Sequence, residues 1–304
     1  MTLELSKLQS TILKAVAIIF VIMSHTGTFP SGGAVGVHLF LIVSGYGIYC
    51  SLEKGSDNYW RKRIQSVYLP YLFSTVIFLI IRYYLWGNLS FTTVIISILG
   101  LDFNRNADPT MWYISYIFVC YLIAWIIFKL NKRPSLAILF GIFAFGVITL
   151  FGYKYIIWHR GTIVWNYGFS FPLGMLLAKY RLTDGHRAKY VKVGIAMFSL
   201  AITLILLPIP HEKFIKLFFT LAFAVFLYCL LTSLITNDKN FIVKFFKIIG
   251  KQSYFMYLNE AFIIRCIKTS SVVPFNTLIS VVCSFMCAFV MHQIFQLFIK
   301  KCHC

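Results

Sequence analysis

The segment Lys14-Ala-Val-Ala-Ile-Ile-Phe-Val-Ile-Met-Ser-His25 places a lysine and a histidine at the two ends of an otherwise apolar run. Eleven positions advance an α-helix by about 16 Å and about three turns, so both side chains lie on one face. Ionisable groups at membrane depth are costly and usually functional. If this segment spans a membrane, it therefore carries a cation towards one end and a titratable base towards the other.

The composition indicates a polytopic membrane protein. Of the 304 residues 60% are hydrophobic and only 12% are charged, whereas soluble domains have about 45–50% apolar and about 25% charged residues. The formal net charge of +19 could suggest nucleic-acid binding, but the basic residues fall between hydrophobic blocks and form no single patch. We expect an all-α, multi-pass membrane protein with no nucleic-acid partner, built as one transmembrane domain over residues 1–304 without a soluble domain.

Spans of about 17 to 25 apolar residues predict about ten transmembrane helices. They cover residues 9–29, 34–52, 65–86, 111–130, 135–153, 162–179, 190–208, 214–236, 252–270 and 274–299. The apolar segment 90–101 is too short to span and is predicted to be interfacial or re-entrant. Most basic residues fall in the loops on the side of the N-terminus, which predicts that both termini are cytoplasmic.

His38 and Glu260 are further ionisable residues inside predicted spans. Counted from the turn near Pro30, His25 and His38 lie at similar depth and could face each other, although His38 could equally lock helix packing through hydrogen bonds. Glu260 is the acidic residue furthest inside a span. A buried carboxylate needs a partner or a proton, so Glu260 either pairs with a cation such as Lys14 or Arg265 or serves a functional cavity.

Two other segments allow a structural or a functional interpretation. The basic residues Arg61, Lys62 and Arg63 lie at the membrane border, where they could simply orient the helix or could bind a phosphorylated cytosolic ligand through the forked donors of arginine. Trp112 and Tyr113 lie near the outer surface, where an aromatic belt is the simpler interpretation.

Five motifs follow one another along the chain. They are Lys14-x10-His25, the run from Phe40 to Tyr46 with its Ser44-Gly45, the basic segment Tyr59 to Pro70, Trp112-Tyr-Ile, and Gly250 to Asn259 with its Ser-Tyr-x-x-Tyr-Leu core. In this order they resemble the integral-membrane acyltransferase-3 family, whose members O-acylate bacterial surface polysaccharides. The resemblance covers almost the whole chain.

The resemblance implies a multi-pass acyltransferase of the bacterial plasma (inner) membrane, surrounded by membrane lipids. Its donor would be acetyl-CoA or another short acyl-CoA, its acceptor a polysaccharide or lipid-linked sugar, and it would keep no permanently bound cofactor and no metal. Geometry and resemblance together assign catalysis to His25, Lys14 and Glu260 and donor binding to Lys14, Arg61 and Arg63. The residues expected to shape the site or contact substrate are His38, Ser44, Tyr46, Trp112, Tyr254 and Asn259.

Two departures from the family pattern affect the predicted mechanism. The chain has His38 where many members have an acid in the second helix, and Asn259 where many have a late histidine. The group that orients His25 therefore stays open, and Asn259 cannot act as a base.

We hypothesise that His25 is the general base or a transient acyl carrier, because imidazole accepts and returns protons near neutral pH. A secondary transporter or flippase for a lipid-linked sugar, with Glu260 and His25 relaying protons, is the main alternative. A structural membrane subunit is the third.

Overall fold

The computed structural model describes residues 5–55, 58–87, 89–101, 112–130, 141, 167–180, 185–209, 213–235, 237–267 and 273–302. Within these ranges the regular elements are all helical. They are α1 (Lys7–His25), α2 (Gly32–Glu53), α3 (Tyr59–Arg63), a π-helical turn (Ile64–Tyr68), α4 (Leu69–Trp86), α5 (Phe91–Ile98), α6 (Trp112–Leu130), α7 (Ser170–Lys179), α8 (Gly185–Leu206), α9 (Lys213–Leu234), α10 (Phe241–Ile267) and α11 (Val273–Cys302).

Six segments of the described chain are helical, long enough and apolar enough to cross a membrane. They are Lys7–His25, Gly32–Glu53, Tyr59–Leu85, Trp112–Leu130, Ile215–Leu234 and Phe275–Lys300. The prediction of an all-α polytopic membrane protein is thus confirmed.

The predicted spans agree with these helices except at some ends. α1 ends at His25, four residues before the predicted boundary, and α10 begins at Phe241, well before the predicted 252. The predicted span 135–153 lies outside the described residues apart from Gly141. In the predicted span 162–179, the helix that the structure describes is α7. α5 has eight residues, too few to cross a bilayer.

Both ends of α1 carry local signals that fix its length. Ser6 and Gln9 form a capping box, in which each side chain accepts a hydrogen bond from the other residue's backbone N–H. At the other end Gly27 adopts a φ of +88°, which stops the helix just after His25. The Thr26 hydroxyl then contacts the Thr277 hydroxyl at 2.6 Å. The end of α1 that carries His25 is thereby tied to α11.

α1 packs against α2 on one side and α10 on another. A β-carbon at Gly250 would overlap the Thr11 carbonyl, so the glycine lets the two backbones approach closely. Gly250 contacts the first half of α1, and Glu260 contacts the last residue of α1, His25. Both helices therefore run in the same direction, and this crossing carries Glu260 to the end of α1.

α2 and α7 also cross at glycines. A β-carbon at Gly45 would overlap the Phe171 carbonyl, and one at Gly174 would overlap the Ile42 carbonyl. Two glycines facing opposite backbones allow the helices to touch without intervening side chains. α2 is therefore enclosed by its neighbours, and most of its residues are buried.

A π-helical turn at Ile64–Tyr68 joins α3 to α4. Pro70 follows it and has no N–H to donate to a preceding carbonyl, which favours such an irregularity. The Tyr254 hydroxyl donates a hydrogen bond to the Val67 carbonyl inside this turn at 2.7 Å. The turn is thus fixed to α10, with Arg63 immediately before it.

Candidate active site

The centre of the candidate site is a side-chain hydrogen bond between His25 on α1 and Glu260 on α10. The His25 Nδ1 atom lies 2.8 Å from Oε1 and 3.0 Å from Oε2 of Glu260. The Glu260 side chain is fully buried, whereas 40% of the His25 side chain is exposed. The carboxylate is therefore sequestered inside the helical bundle while the imidazole is accessible.

The geometry selects one tautomer of a neutral His25. An ionised carboxylate only accepts hydrogen bonds, so Nδ1 carries the proton that it donates to Glu260. In that tautomer Nε2 carries the lone pair and can accept a proton. Glu260 holds the ring in place and stabilises the imidazolium that forms when Nε2 is protonated.

This pair answers the question that the sequence left open about Glu260. Lys14 and Arg265 were the cations suggested as its partners, but the partner that the structure shows is His25. Lys14 lies about 16 Å from His25 along α1. No described residue forms an ion pair with Lys14. Glu260 is thus the acid that the structure places against the His25 ring.

A cavity of about 290 Å³ lies beside the first half of α1. Its lining residues are Ser10, Lys14, Phe40, Val43, Ser44, Gly47, Arg63, Ser66, Val67, Tyr113, Ile117, Tyr121, Ser253, Tyr254 and Tyr257. Two of these are cations, Lys14 and Arg63, and none is an acid. The cavity therefore has a positive field and suits an anionic ligand.

Arg63 is held at the cavity wall by aromatic rings. Its guanidinium carbon lies 5.8 Å from the Tyr59 ring centroid and 5.7 Å from that of Tyr121, and its Nε atom is buried without a hydrogen-bond partner among the described residues. Arg61, by contrast, is exposed and does not line the cavity. Of the two arginines predicted to bind a donor, only Arg63 joins Lys14 there.

The far wall of the cavity is aromatic. The Tyr113 ring lies 5.4 Å from that of Tyr257 and 6.2 Å from that of Phe40. Tyr113 is buried, so its interpretation as part of an outer aromatic belt is wrong. Trp112 is half-buried and stacks on Tyr167, with 5.4 Å between the two ring centroids. Helix packing therefore turns the rings of Trp112 and Tyr113 inward.

The cavity and the His25–Glu260 pair share one face of α10. Ser253 and Tyr257 line the cavity, and Glu260 follows Tyr257 at the helical spacing that keeps residues on the same side. The rise from Tyr257 to Glu260 is about 4.5 Å. The cavity wall thus ends one helical turn from the carboxylate.

His38 lies elsewhere and does not face His25. It is fully buried, with Nδ1 2.6 Å from the Ser170 hydroxyl and Nε2 3.1 Å from that of Thr220. The Thr220 hydroxyl is also 2.8 Å from the Lys216 carbonyl, to which it donates, so it accepts from Nε2–H. His38 therefore links α2, α7 and α9 through hydrogen bonds to two hydroxyl groups.

The remaining predicted site residues occupy different surroundings. Ser44 and Tyr254 line the cavity. Tyr46 is buried, and its hydroxyl accepts a hydrogen bond from the Leu5 N–H at 2.9 Å, which ties Leu5 to α2. Asn259 is half-buried, and its Nδ2 atom has no hydrogen-bond partner among the described residues.

Three tyrosines in the cavity wall were not predicted to belong to the site: Tyr113, Tyr121 and Tyr257. Tyr257 could have been found, since it shares a helical face with Glu260. Tyr121 lies in a uniformly apolar segment, where the sequence gives no signal of which residues face inward. The described chain holds no group of three or more His, Cys, Asp or Glu residues that could bind a metal ion.

Comparison with known families gives one match. A family model of the acyltransferase-3 type, described as an acyltransferase domain, matches residues 9–292. This range includes the His25–Glu260 pair and every residue that lines the cavity. No curated protein and no solved structure matches the chain.

Proposed function

Because the chain belongs to the acyltransferase-3 family, we propose that it is a membrane O-acyltransferase that moves a short acyl group, most simply acetyl, from cytosolic acyl-CoA to a sugar hydroxyl. The acceptor is a cell-surface polysaccharide or its lipid-linked precursor. The observation that carries the proposal is the His25–Glu260 pair one helical turn from a cationic cavity. Family membership also favours acyl transfer over a transporter or a structural subunit.

In this proposal the cavity binds the donor. The phosphates of acyl-CoA meet Lys14 and Arg63, which have no acidic neighbour in the cavity wall, and arginine offers forked donors to phosphate oxygens. About 16 Å separates Lys14 from His25 along α1. The long pantetheine arm, or an acyl group passed on to His25, bridges this distance.

His25 then acts on the acceptor hydroxyl. Nε2 takes the hydroxyl proton while the hydroxyl oxygen attacks the thioester carbonyl carbon. The carbon–sulfur bond breaks, and the imidazolium returns the proton to the departing thiolate, which leaves an ester and free coenzyme A. Transfer through an acyl-imidazole at Nε2 uses the same residue and the same Glu260 contact.

The test is the His25→Ala variant, with the surface polysaccharide analysed by NMR for O-acyl esters. We expect the esters to disappear while membrane abundance stays normal. The matched control is His292→Gln, since His292 lies outside the cavity and contacts Gln252 on α10. Wild-type ester levels in the His25→Ala strain would overturn the proposal.

A further inference from the structure

Gly47 is an exposed position in an otherwise enclosed helix. Every other residue from Gly32 to Leu52 is buried or half-buried. Gly47 lines the cavity together with Lys14 and Arg63. Since glycine has no side chain, the part of α2 that lines the cavity at this position is backbone.

The glycines of α2 divide into two kinds. At Gly32, Gly33, Gly36 and Gly45 an added β-carbon would collide with a neighbouring residue, which explains why a side chain is missing. At Gly47 an added β-carbon would meet nothing within 4 Å. Since a glycine inside a helix is less favourable than alanine, packing gives no reason for Gly47, and its effect is to leave open space.

The open space belongs to the same cavity that Lys14 and Arg63 line. Phe40, Val43, Ser44 and Gly47 form one stripe of α2 along the cavity wall. Lys14 lacks a described ion-pair partner, and the buried Arg63 Nε lacks a described hydrogen-bond partner. An anionic group that binds these two residues would carry the rest of its molecule past Gly47.

We propose that Gly47 is a specificity-determining residue, whose missing side chain makes room for the organic group attached to the donor's phosphates. The inference rests on the proposed function and adds a size limit to the donor site. One methyl group at position 47 fits the open space. A branched or aromatic side chain fills it and competes with the ligand.

The test is a size series at position 47 with a matched glycine elsewhere. Gly194, in α8, is also exposed and has nothing within 4 Å of an added β-carbon, but it does not line the cavity. The variants are Gly47→Ala, Gly47→Leu and Gly194→Leu, each reconstituted in proteoliposomes. The measurements are kcat and the separate KM values for acetyl-CoA and for the acceptor.

We expect Gly47→Leu to raise the KM for acetyl-CoA at least tenfold and to leave the acceptor KM within about twofold. Gly47→Ala should raise the KM for acetyl-CoA less than Gly47→Leu does, and Gly194→Leu, outside the cavity, should stay within about twofold of the wild type in all parameters. An unchanged donor KM in Gly47→Leu, or an equal rise in Gly194→Leu, would overturn the inference.

Two further measurements separate this inference from the proposed function. If the wild type transfers nothing from acetyl-CoA, the proposed function fails, and calorimetry with coenzyme A then tests the role of Gly47. Weaker binding of coenzyme A by Gly47→Leu than by the wild type supports the inference. Equal affinity of the two proteins, or no binding by the wild type, refutes the inference. If Gly47→Leu does not fold, Gly47→Cys is labelled with a charged maleimide, against the native cysteines of the wild type as background. Acetyl-CoA, whose sulfur is acylated and does not react with maleimide, should slow this labelling, and an unchanged rate refutes the inference.

Discussion

Replacing Glu260 with glutamine tests the centre of the site with little change of shape. The side chain keeps its size and its place in α10, but it loses the charge that faces His25 at 2.8 Å. The amide can also turn its NH₂ group towards Nδ1, which then has to accept. The imidazole proton would in that case move to Nε2, and His25 would no longer present a basic nitrogen to the acceptor.

The size of the effect follows from the hydrogen bond that is weakened. Hydrogen bonds to charged groups contribute about 1.5–3 kcal/mol and neutral ones about 0.5–1.5 kcal/mol, and 1.36 kcal/mol corresponds to a factor of ten in rate. Loss of the charge alone, about 1–1.5 kcal/mol, should therefore lower kcat about 5- to 13-fold. Reversal of the tautomer adds to this loss, so about fivefold is the lower bound.

The assay is acyl transfer from labelled acetyl-CoA in proteoliposomes, with kcat and donor KM determined separately. We expect kcat to fall and the donor KM to stay near the wild-type value, because Glu260 does not line the cavity. A double variant with His25→Ala should be no slower than His25→Ala alone, since the two residues act as a unit. A Glu260→Gln enzyme with wild-type kcat, or additive losses in the double variant, would refute the reasoning.

Three more predictions concern donor binding and packing. Arg63→Ala should raise the donor KM about 10- to 160-fold through the loss of one charge-assisted hydrogen bond. Lys62→Ala, which changes an exposed neighbour, should leave the donor KM unchanged. Equal donor KM values for the two variants would contradict this prediction. Gly45→Ala should destabilise the fold by about 1–3 kcal/mol or more, because the new methyl group overlaps a backbone carbonyl; thermal unfolding in detergent measures it, and an unchanged midpoint would be the contrary result. His38→Leu should lower the free energy of unfolding by about 1 kcal/mol per lost hydrogen bond and lower the midpoint of thermal unfolding. A variant as stable as the wild type would show that His38 does not hold α2, α7 and α9 together.

Much of the architecture follows from local features of the chain. Whether a segment is helical and long enough to span a bilayer depends on its own apolar length and on end signals such as Ser6 and Gly27, so most predicted helices lie within a few residues of the observed ones. The shared face of Lys14 and His25 follows from helical geometry. The order of the five motifs indicated the family that the family model then showed.

The interpretation of single residues depended on how the helices are rotated and packed. Arg61 and Arg63 are indistinguishable by composition, yet one is exposed and the other lines the cavity. Tyr113 resembled a belt residue because its segment lies near the predicted outer surface, but the rotation of α6 turns it inward. These differences arise between helices, where a single segment carries no information.

The His25–Glu260 pair shows most clearly where local information ends. A lysine and a histidine on one helix could be placed from spacing alone, because the backbone hydrogen bonds of α1 fix that geometry. The partner of His25 lies 235 residues further along the chain, and the candidate partners that the sequence suggested for Glu260 were Lys14 and Arg265. The close crossing of α1 and α10 at Gly250 decides the pairing, since it brings the Glu260 carboxylate to the His25 imidazole and leaves Lys14 with the cavity.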